Sequence, residues 1–255
     1  MMITSPQNDR VKLVRQLQRQ AKVRRKQRQW VLEGVRLIAD AITNGARPDF
    51  VLYTAESAPD TLIAQWTDAG ILCLEVTPDL MREMADTETP QGMIGVFPWP
   101  DLPIPDAPDL IVVADGWRDP GNLGTLIRTA AAAGVDLVAL PSGTVDFTNP
   151  KVVRAGMGAH FRVPVHALAW PDLIARYPDH AIYLAEMGGA VVYDAVDWTQ
   201  PAILAIGGEA FGAGDALRDL LHTTIRIPMV AGAESLNAGV AASIVIYAAR
   251  RHTLA

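Results

Sequence analysis

The sequence contains a single cysteine, Cys73, among 255 residues. An internal disulfide and a cysteine-based zinc site are therefore excluded. Apolar runs such as "LIVVA" and "AILAI" have the length of strands and fall far short of the roughly 18 residues that span a bilayer. The first residues, "MMITSPQNDRVK", lack the apolar core of a signal peptide. We therefore expect a cytoplasmic protein without a membrane partner.

Metal-binding patterns are missing as well. The five histidines show no spacing typical of metal ligands, so we expect no metal, and we expect each histidine to be an ordinary surface or core residue. They are His160, His166, His180, His222 and His252.

Charge is distributed unevenly along a chain whose net charge is −6. The first 30 residues carry about +8 and the remainder about −14, which indicates a basic arm on an acidic body. Such an arm binds nucleic-acid backbones, although a solvated helix face would have the same composition. Its basic residues are Arg10, Lys12, Arg15, Arg19, Lys22, Arg24, Arg25, Lys26 and Arg28.

Residues 1–97 alternate short strand and helix patterns and predict a small α/β domain. Ser5 and Pro6 predict the N-cap and first position of a helix, in which Val11, Val14, Leu17 and Ala21 recur at helical spacing. The basic residues are then expected on the other faces of that helix.

A proline-rich segment, residues 98–108, predicts a stiff linker because proline at this density prevents helices and interior strands. Residues 109–255 then alternate continuous apolar strands with helices. This pattern predicts a parallel sheet that is covered on both faces. Ligands of such sheets bind at the carboxyl ends of the strands, so the loops that follow strands are the candidate sites.

Three loops of this kind carry glycine and polar residues: "DPGNLGTLIR", "LAIGGEAFGAG" and "IPMVAGAESLNAGVAA". In the first, Asn122 could cap a helix on which Arg128 follows Gly124 by one turn. The G-x-G-x-x-G fingerprint of dinucleotide sites is absent, and Asp136 precedes the next strand instead of ending it. A nicotinamide-dependent oxidoreductase is therefore disfavoured. Each loop alone could also be an ordinary strand-to-helix turn.

Together and in this order, the three loops resemble the motifs of the SpoU (TrmH-like) family of RNA 2′-O-ribose methyltransferases, in the SPOUT superfamily. "ITSPQNDRVKLVRQL", "WVLEGVRLIADAI" and "TPQGMIGVF" resemble the substrate-binding domain that often precedes the catalytic domain. The resemblance implies a deep trefoil knot in the C-terminal domain, which general topology rules make improbable. It also implies an N-terminal domain with the fold of a small RNA-binding ribosomal protein, and a homodimer.

The same resemblance implies the cofactor S-adenosyl-L-methionine and a set of site residues. The polar active-site positions match Asn122, Arg128, Glu209, Ser235 and Asn237. The cofactor positions match Leu204, Gly207, Gly208, Ile227, Met229 and Leu236. Two departures are "NAGVAAS", in which Gly239 should loosen its helix slightly, and Met157-Gly158-Ala159 in place of a frequent serine-glycine-alanine. Neither touches a polar catalytic position.

We therefore expect a methyltransferase that acts on RNA, more on ribosomal RNA than on transfer RNA, and not on DNA. In the family, Arg128 would activate the ribose hydroxyl, but a guanidinium is a poor base. We favour a role in which it stabilises negative charge on the oxygen and holds a phosphate, while Glu209 orients Asn122 or its loop. A protein of the same fold that binds RNA without catalysis remains an alternative.

Overall fold

A computed structural model describes residues 2–57, 59–208, 212–220, 222–230 and 235–253. The chain divides into two compact units, and the division does not follow the chain order throughout. The first unit comprises Met1–Asp101 together with Thr148–Arg154, and the second comprises Leu102–Phe147 and Ala155–Ala255. Each unit is described below by itself.

The first unit contains a four-stranded sheet and five helices among its described residues up to Asp101. The helices are α1 (Asp9–Arg19), α2 (Ala21–Gln27), α3 (Val35–Thr43), α4 (Asp60–Asp68) and α5 (Pro78–Met84). The strands are β1 (Gln29–Glu33), β2 (Phe50–Tyr53), β3 (Cys73–Glu75) and β4 (Met93–Pro98). Their order is β1-β4-β2-β3, and only the β2–β3 pair is parallel.

The N-terminal helix begins later than the sequence predicts. Asn8 is the N-cap of α1 because its side chain accepts the Arg10 N–H at 3.0 Å. Ser5 does not serve as a cap, since its hydroxyl oxygen accepts the Gln7 N–H within the preceding turn. The helix also ends at Gln20, whose backbone is extended, so the basic segment forms two helices. Burial of Val11, Val14 and Leu17 agrees with the helical spacing.

One basic residue of this segment is not on a solvated face. Arg24 is only 4% exposed. Its Nη1 donates to the Leu17 carbonyl at 2.9 Å, and its Nε donates to Thr148 Oγ1 at 3.0 Å. The expectation that Arg24 is available to RNA phosphates is therefore wrong. Its guanidinium joins α2 to the end of α1 and to the segment Thr148–Arg154, which belongs to the same unit.

The second unit is built on a seven-stranded sheet in which every pairing is parallel. Its strand order is β7-β6-β5-β10-β8-β11-β9. From Leu110 onwards the elements are, in chain order, β5 (Leu110–Asp115), α6 (Pro120–Ala133), β6 (Leu137–Leu140), α7 (Pro150–Gly156), β7 (Val165–Ala167), α8 (Trp170–Arg176), β8 (Ala181–Ala185), β9 (Val191–Val192), β10 (Ala202–Gly207), α9 (Asp215–Arg218), β11 (Thr223–Arg226) and α10 (Ala238–Arg250). Most of α7 belongs to the first unit, whose second segment is Thr148–Arg154.

The α/β class and the parallel sheet are thus confirmed. Every residue of β5 is buried, as is β10 up to Ile206, because helices cover both faces of a parallel sheet. Two strands that the sequence analysis missed, β7 and β9, have three and two residues and no marked apolar run. Asp136, which precedes β6, accepts the N–H groups of Asp109 and Leu110 and lies 3.7 Å from Arg250. Asp136 therefore has a structural role, because it holds the start of β5 and the end of α10.

No helix in the described part of the chain is long and apolar enough to cross a membrane. Within the same residues, no group of three or more histidine, cysteine, aspartate or glutamate side chains could hold a metal ion.

The buried guanidinium of Arg24 generates a stability prediction. Arg24→Met keeps the apolar stem but leaves the Leu17 carbonyl and Thr148 Oγ1 without this donor, so we expect the free energy of unfolding to fall by about 1–3 kcal/mol. Arg25→Met, at the exposed neighbouring position, is the matched control and should change it by no more than about 0.5 kcal/mol. Urea denaturation measures both. Equal effects of the two variants would contradict the assigned role of Arg24.

His160 generates a pH prediction. Burial lowers its pKa from the ordinary 6.5 to about 4, and its hydrogen bond with the Phe147 carbonyl opposes this shift only in part. Between these pH values the unfolded chain binds a proton that the folded chain does not bind. The stability that the protein owes to a neutral, buried His160 is therefore fully present above about pH 6.5. It is lost as the pH falls towards 4, and the loss amounts to up to about 3 kcal/mol of the free energy of unfolding.

Denaturation curves at several pH values check this expectation. We expect His160→Gln to lose stability less steeply than the wild type between pH 6.5 and 4. The exposed His252 provides the control, since His252→Gln should retain the slope of the wild type. Parallel pH profiles of the wild type and His160→Gln would show that His160 is not responsible.

Candidate active site

A cavity of about 850 Å³ opens where β10, β8 and β11 end and α10 begins, all within the second unit. This is the edge at which open parallel sheets bind ligands, and the volume suits a small organic molecule. The lining residues used below are Asp119, Asn122, Glu186, Gly207, Gly208, Gly212, Ala213, Arg218, Arg226, Ile227, Met229, Ser235, Leu236 and Asn237.

Glycines shape the wall formed by the end of β10. A Cβ atom on Gly207 would stand 2.3 Å from the carbonyl carbon of Gly212, and one on Gly208 would stand 2.7 Å from the Gly116 oxygen. Gly208 and Gly212 exchange two backbone hydrogen bonds, of 3.0 and 2.9 Å. The loop therefore folds back on its own strand end so closely that side chains at these positions do not fit. Its remaining residues, 209–211, lie outside the described residues.

Two buried side chains that the sequence analysis missed support this loop. Asp115 ends β5 and accepts the Gly214 N–H at 3.0 Å. Trp117 donates its indole N–H to the Ile206 carbonyl at 2.9 Å. A polar residue at the carboxyl end of an apolar strand, as in "IVVADGW", was the available signal. These contacts fix the turn after β10 against the neighbouring strand β5.

A side-chain hydrogen bond at the cavity joins residues 115 positions apart. Asn237 Nδ2 donates to Asn122 Oδ1 at 2.9 Å. Asn237 also caps α10, since its Oδ1 accepts the Val240 N–H at 3.2 Å. Asn122 does not cap α6. Asp119 does so by accepting the Asn122 N–H at 2.7 Å, so the interpretation of Asn122 as a helix cap is wrong.

Gly239 lies against this asparagine pair. A Cβ atom at Gly239 would lie 3.3 Å from Asn237 Oδ1, which is tight, and 3.5 Å from Asn122 Oδ1, which is ordinary van der Waals contact. A side chain at this position would therefore touch both amide oxygens of the pair.

The structure brings together most, but not all, of the site residues expected from the sequence. Gly207, Gly208, Ile227, Met229 and Leu236 line the cavity with Asn122, Ser235 and Asn237. Leu204 does not, because it is fully buried in the middle of β10, in register with Val112 of β5 and Tyr183 of β8. Arg128 lies on the exposed side of α6, outside the lining. Glu209 lies outside the described residues.

Charged residues that the sequence analysis did not single out also line the cavity. Arg226 Nη1 donates to the carbonyls of Gly189 and Ala190, at 2.6 and 2.9 Å, and thereby holds the turn after β8. Arg218 Nε donates to the Ala213 carbonyl at 3.2 Å. Glu186 follows β8 directly. Nothing in the one-dimensional pattern distinguishes these residues from solvated loop charges.

The nine basic residues between Arg10 and Arg28 differ in how they are held. Arg15 forms an ion pair with Glu83. Arg10 stacks 5.8 Å from the Phe50 ring centroid, and Arg28 stacks 5.6 Å from that of Trp99. All except the half-buried Arg15 and the buried Arg24 are exposed. The exposed residues are Arg10, Lys12, Arg19, Lys22, Arg25, Lys26 and Arg28.

Comparison with protein families gives two matches. Residues 109–247 match the model of the SpoU rRNA Methylase family. Residues 8–95 match the model of the MRM3-like substrate binding domain.

Named relatives are similar over nearly the whole chain. The human protein "rRNA methyltransferase 3, mitochondrial" is 32% identical, covering 89% of this chain and 69% of its own. The Bacillus subtilis 23S rRNA (guanosine(2553)-2′-O)-methyltransferase RlmP is 32% identical, and the match covers 96% of this chain and 97% of that protein.

Solved structures give the same result. The AdoMet-bound rRNA methyltransferase from Sinorhizobium meliloti superposes with a TM-score of 0.87 and 32% identity, over 100% of this chain and 99% of that one. The SpoU methyltransferase AviRb from Streptomyces viridochromogenes, in complex with AdoMet, has a TM-score of 0.83 and 28% identity. The match covers 97% of this chain and 99% of that one.

The close backbone packing at Gly207 is testable by substitution. Gly207→Ala places a Cβ against the backbone of Gly212, so the loop must shift. We expect the free energy of unfolding to fall by about 1–3 kcal/mol. We also expect S-adenosylhomocysteine to bind at least about tenfold more weakly. Gly188→Ala is the matched control, because a Cβ at Gly188 meets nothing within 4 Å. Calorimetry and thermal unfolding measure both. Unchanged ligand affinity in Gly207→Ala would contradict the role given to this wall.

Proposed function

Because the chain belongs to the SpoU rRNA methylase family, we propose that it transfers a methyl group from S-adenosylmethionine to a ribose 2′-hydroxyl of ribosomal RNA. The observation that carries the proposal is the Asn122–Asn237 pair at the mouth of a glycine-walled cavity. The names of the human and Bacillus subtilis relatives, which describe rRNA methyltransferases, support ribosomal RNA as the substrate.

The cavity fits the proposed cofactor. Its volume is in the range of sites for small organic ligands. The wall at Gly207 and Gly208 presents backbone, and Ile227, Met229 and Leu236 add apolar surface for an adenine ring. These residues would hold the adenosine, whereas Leu204, buried within β10, can act only by supporting the strand. When bound, S-adenosylmethionine supplies an electrophilic methyl group.

The protein's own polar groups would orient the ribose. Asn122 and Asn237 form one rigid unit, since each is anchored at the start of a helix and their side chains bond to each other. Together with Ser235 they would hold the 2′-oxygen in line with the methyl group. Glu209 remains our candidate for orienting Asn122 or its loop.

Arg128 acts from the substrate side in this proposal. It is exposed and lies outside the cavity lining, so it is available to an RNA phosphate. Its guanidinium stabilises negative charge that develops on the 2′-oxygen and holds the adjacent phosphate. A phosphate oxygen or a water takes the proton, because a guanidinium has no lone pair to accept it and is a poor base.

The first unit would bind the RNA backbone. Its exposed basic residues, from Arg10 to Arg28 without Arg15 and Arg24, would contact phosphates and make affinity salt-dependent and largely independent of sequence. Choice of nucleotide would then come from RNA shape around an unpaired target. The match to a substrate-binding domain over residues 8–95 supports this role. We keep residues 1–97, 98–108 and 109–255 as the proposed functional division.

A homodimer and a trefoil knot are also part of the proposal. Support for the dimer comes from α10, where Val240 and Tyr247 are 47% and 48% exposed and lie seven residues apart, hence on one face. Leu236, which is 40% exposed, lies just before the N-cap of this helix. The knot follows from the family resemblance. The cytoplasmic location stays a prediction, and the human relative is named as mitochondrial.

The experiment that tests the function is methyl transfer from radiolabelled S-adenosylmethionine to purified ribosomal RNA, with transfer RNA in parallel. Digestion to nucleosides identifies the product. We expect label in a 2′-O-methylated nucleoside from ribosomal RNA. Label in transfer RNA alone would show that transfer RNA, and not ribosomal RNA, is the substrate. Cofactor binding without transfer to either RNA would favour the non-catalytic alternative.

Arg128→Ala should reduce the methyl-transfer rate about 100-fold while leaving S-adenosylhomocysteine affinity unchanged, because Arg128 does not line the cavity. The exposed Arg176, which pairs with Asp106, provides the control, since Arg176→Ala should retain full activity. The pH–rate profile separates the two roles of Arg128. A titrating step near neutral pH that disappears in Arg128→Ala would contradict our version and favour Arg128 as the base.

A further inference from the structure

Arg218 occupies a defined place on the cavity wall that the proposed mechanism does not use. It is the last residue of α9, and its Nε donates to the Ala213 carbonyl at 3.2 Å. A Cβ atom on Gly212 would stand 3.4 Å from its terminal nitrogen. The guanidinium therefore lies against the Gly212–Ala213 turn.

This turn is itself well fixed. Gly212 exchanges backbone hydrogen bonds with Gly208, and Gly214 donates to the buried carboxylate of Asp115. A guanidinium held through Nε against such a turn keeps its orientation while its terminal nitrogens can engage another group. Arginine held in this way suits a planar anion, since two N–H groups meet two oxygens.

The other charged residues described in the lining are engaged differently. Arg226 donates to two carbonyls of the turn after β8, and Asp119 caps α6. Glu186 is itself an acid. Among the described lining residues, Arg218 is thus the cation that is both solvent-exposed and placed beside the glycine wall.

We propose that Arg218 binds the carboxylate of the methionyl part of the cofactor and thereby selects ligands that carry this group. The inference rests on the proposed function, because S-adenosylmethionine has one carboxylate and adenosine has none. An RNA phosphate offers the same anionic oxygens. We favour the carboxylate because Arg218 lines the same cavity as the backbone that would hold the adenosine.

Calorimetric titration with two ligands tests the assignment without any methyl transfer. S-Adenosylhomocysteine carries the carboxylate, whereas 5′-methylthioadenosine retains the adenosine and sulfur but lacks it. Arg218→Gln should weaken S-adenosylhomocysteine binding about tenfold and leave 5′-methylthioadenosine binding unchanged. Arg218→Lys retains the charge without the paired N–H geometry and should fall between wild type and Arg218→Gln.

Arg176→Gln is the matched control and should bind both ligands like the wild type. Equal weakening of both ligands in Arg218→Gln would overturn the proposal, since Arg218 would then only shape the turn. Unchanged affinity for both ligands, with weaker binding of ribosomal RNA, would assign Arg218 to a phosphate and equally overturn it. Failure of the wild-type protein to bind either ligand would instead contradict the proposed function itself.

Discussion

Close backbone packing at the end of β10 is the constraint on which the rest of the site depends. Gly207 meets Gly212, and Gly208 meets Gly116, at distances that exclude a Cβ atom. This packing turns the chain back over its own strand end and leaves an open volume beside it instead of a side chain. The glycine wall of the cavity follows from this packing, so a side chain at either glycine would force the loop to shift.

A second interaction joins the two ends of the catalytic unit. The hydrogen bond between Asn122 and Asn237 links the start of α6 to the start of α10, and Gly239 lies against both side chains. Asp119 caps the first turn of α6, and the Asn122 side chain therefore contacts Asn237 instead of capping the helix. Asn237 has both roles, since its Oδ1 caps α10 and its Nδ2 donates to Asn122.

Much of this arrangement could be predicted from the sequence, because its causes are local. Continuous apolar strands such as β5 and β10 indicate a buried parallel sheet, and the motif order identifies the family and most lining residues. Other features depend on contacts across the fold. Arg24 follows the pattern of an exposed basic helix, yet Leu17 and Thr148 supply partners that make its burial favourable. Asp119 rather than Asn122 caps α6 because of its position one turn earlier, a difference that residue type alone does not reveal.

The glycine-walled cavity is proposed to receive the adenosine of S-adenosylmethionine, and a crystal structure of the protein with S-adenosylhomocysteine would show whether it does. We expect adenosine density between the backbone at Gly207 and the apolar residues Ile227 and Met229, with the sulfur directed towards Asn122 and Asn237. Density for the ligand at any other strand end of the sheet would contradict it.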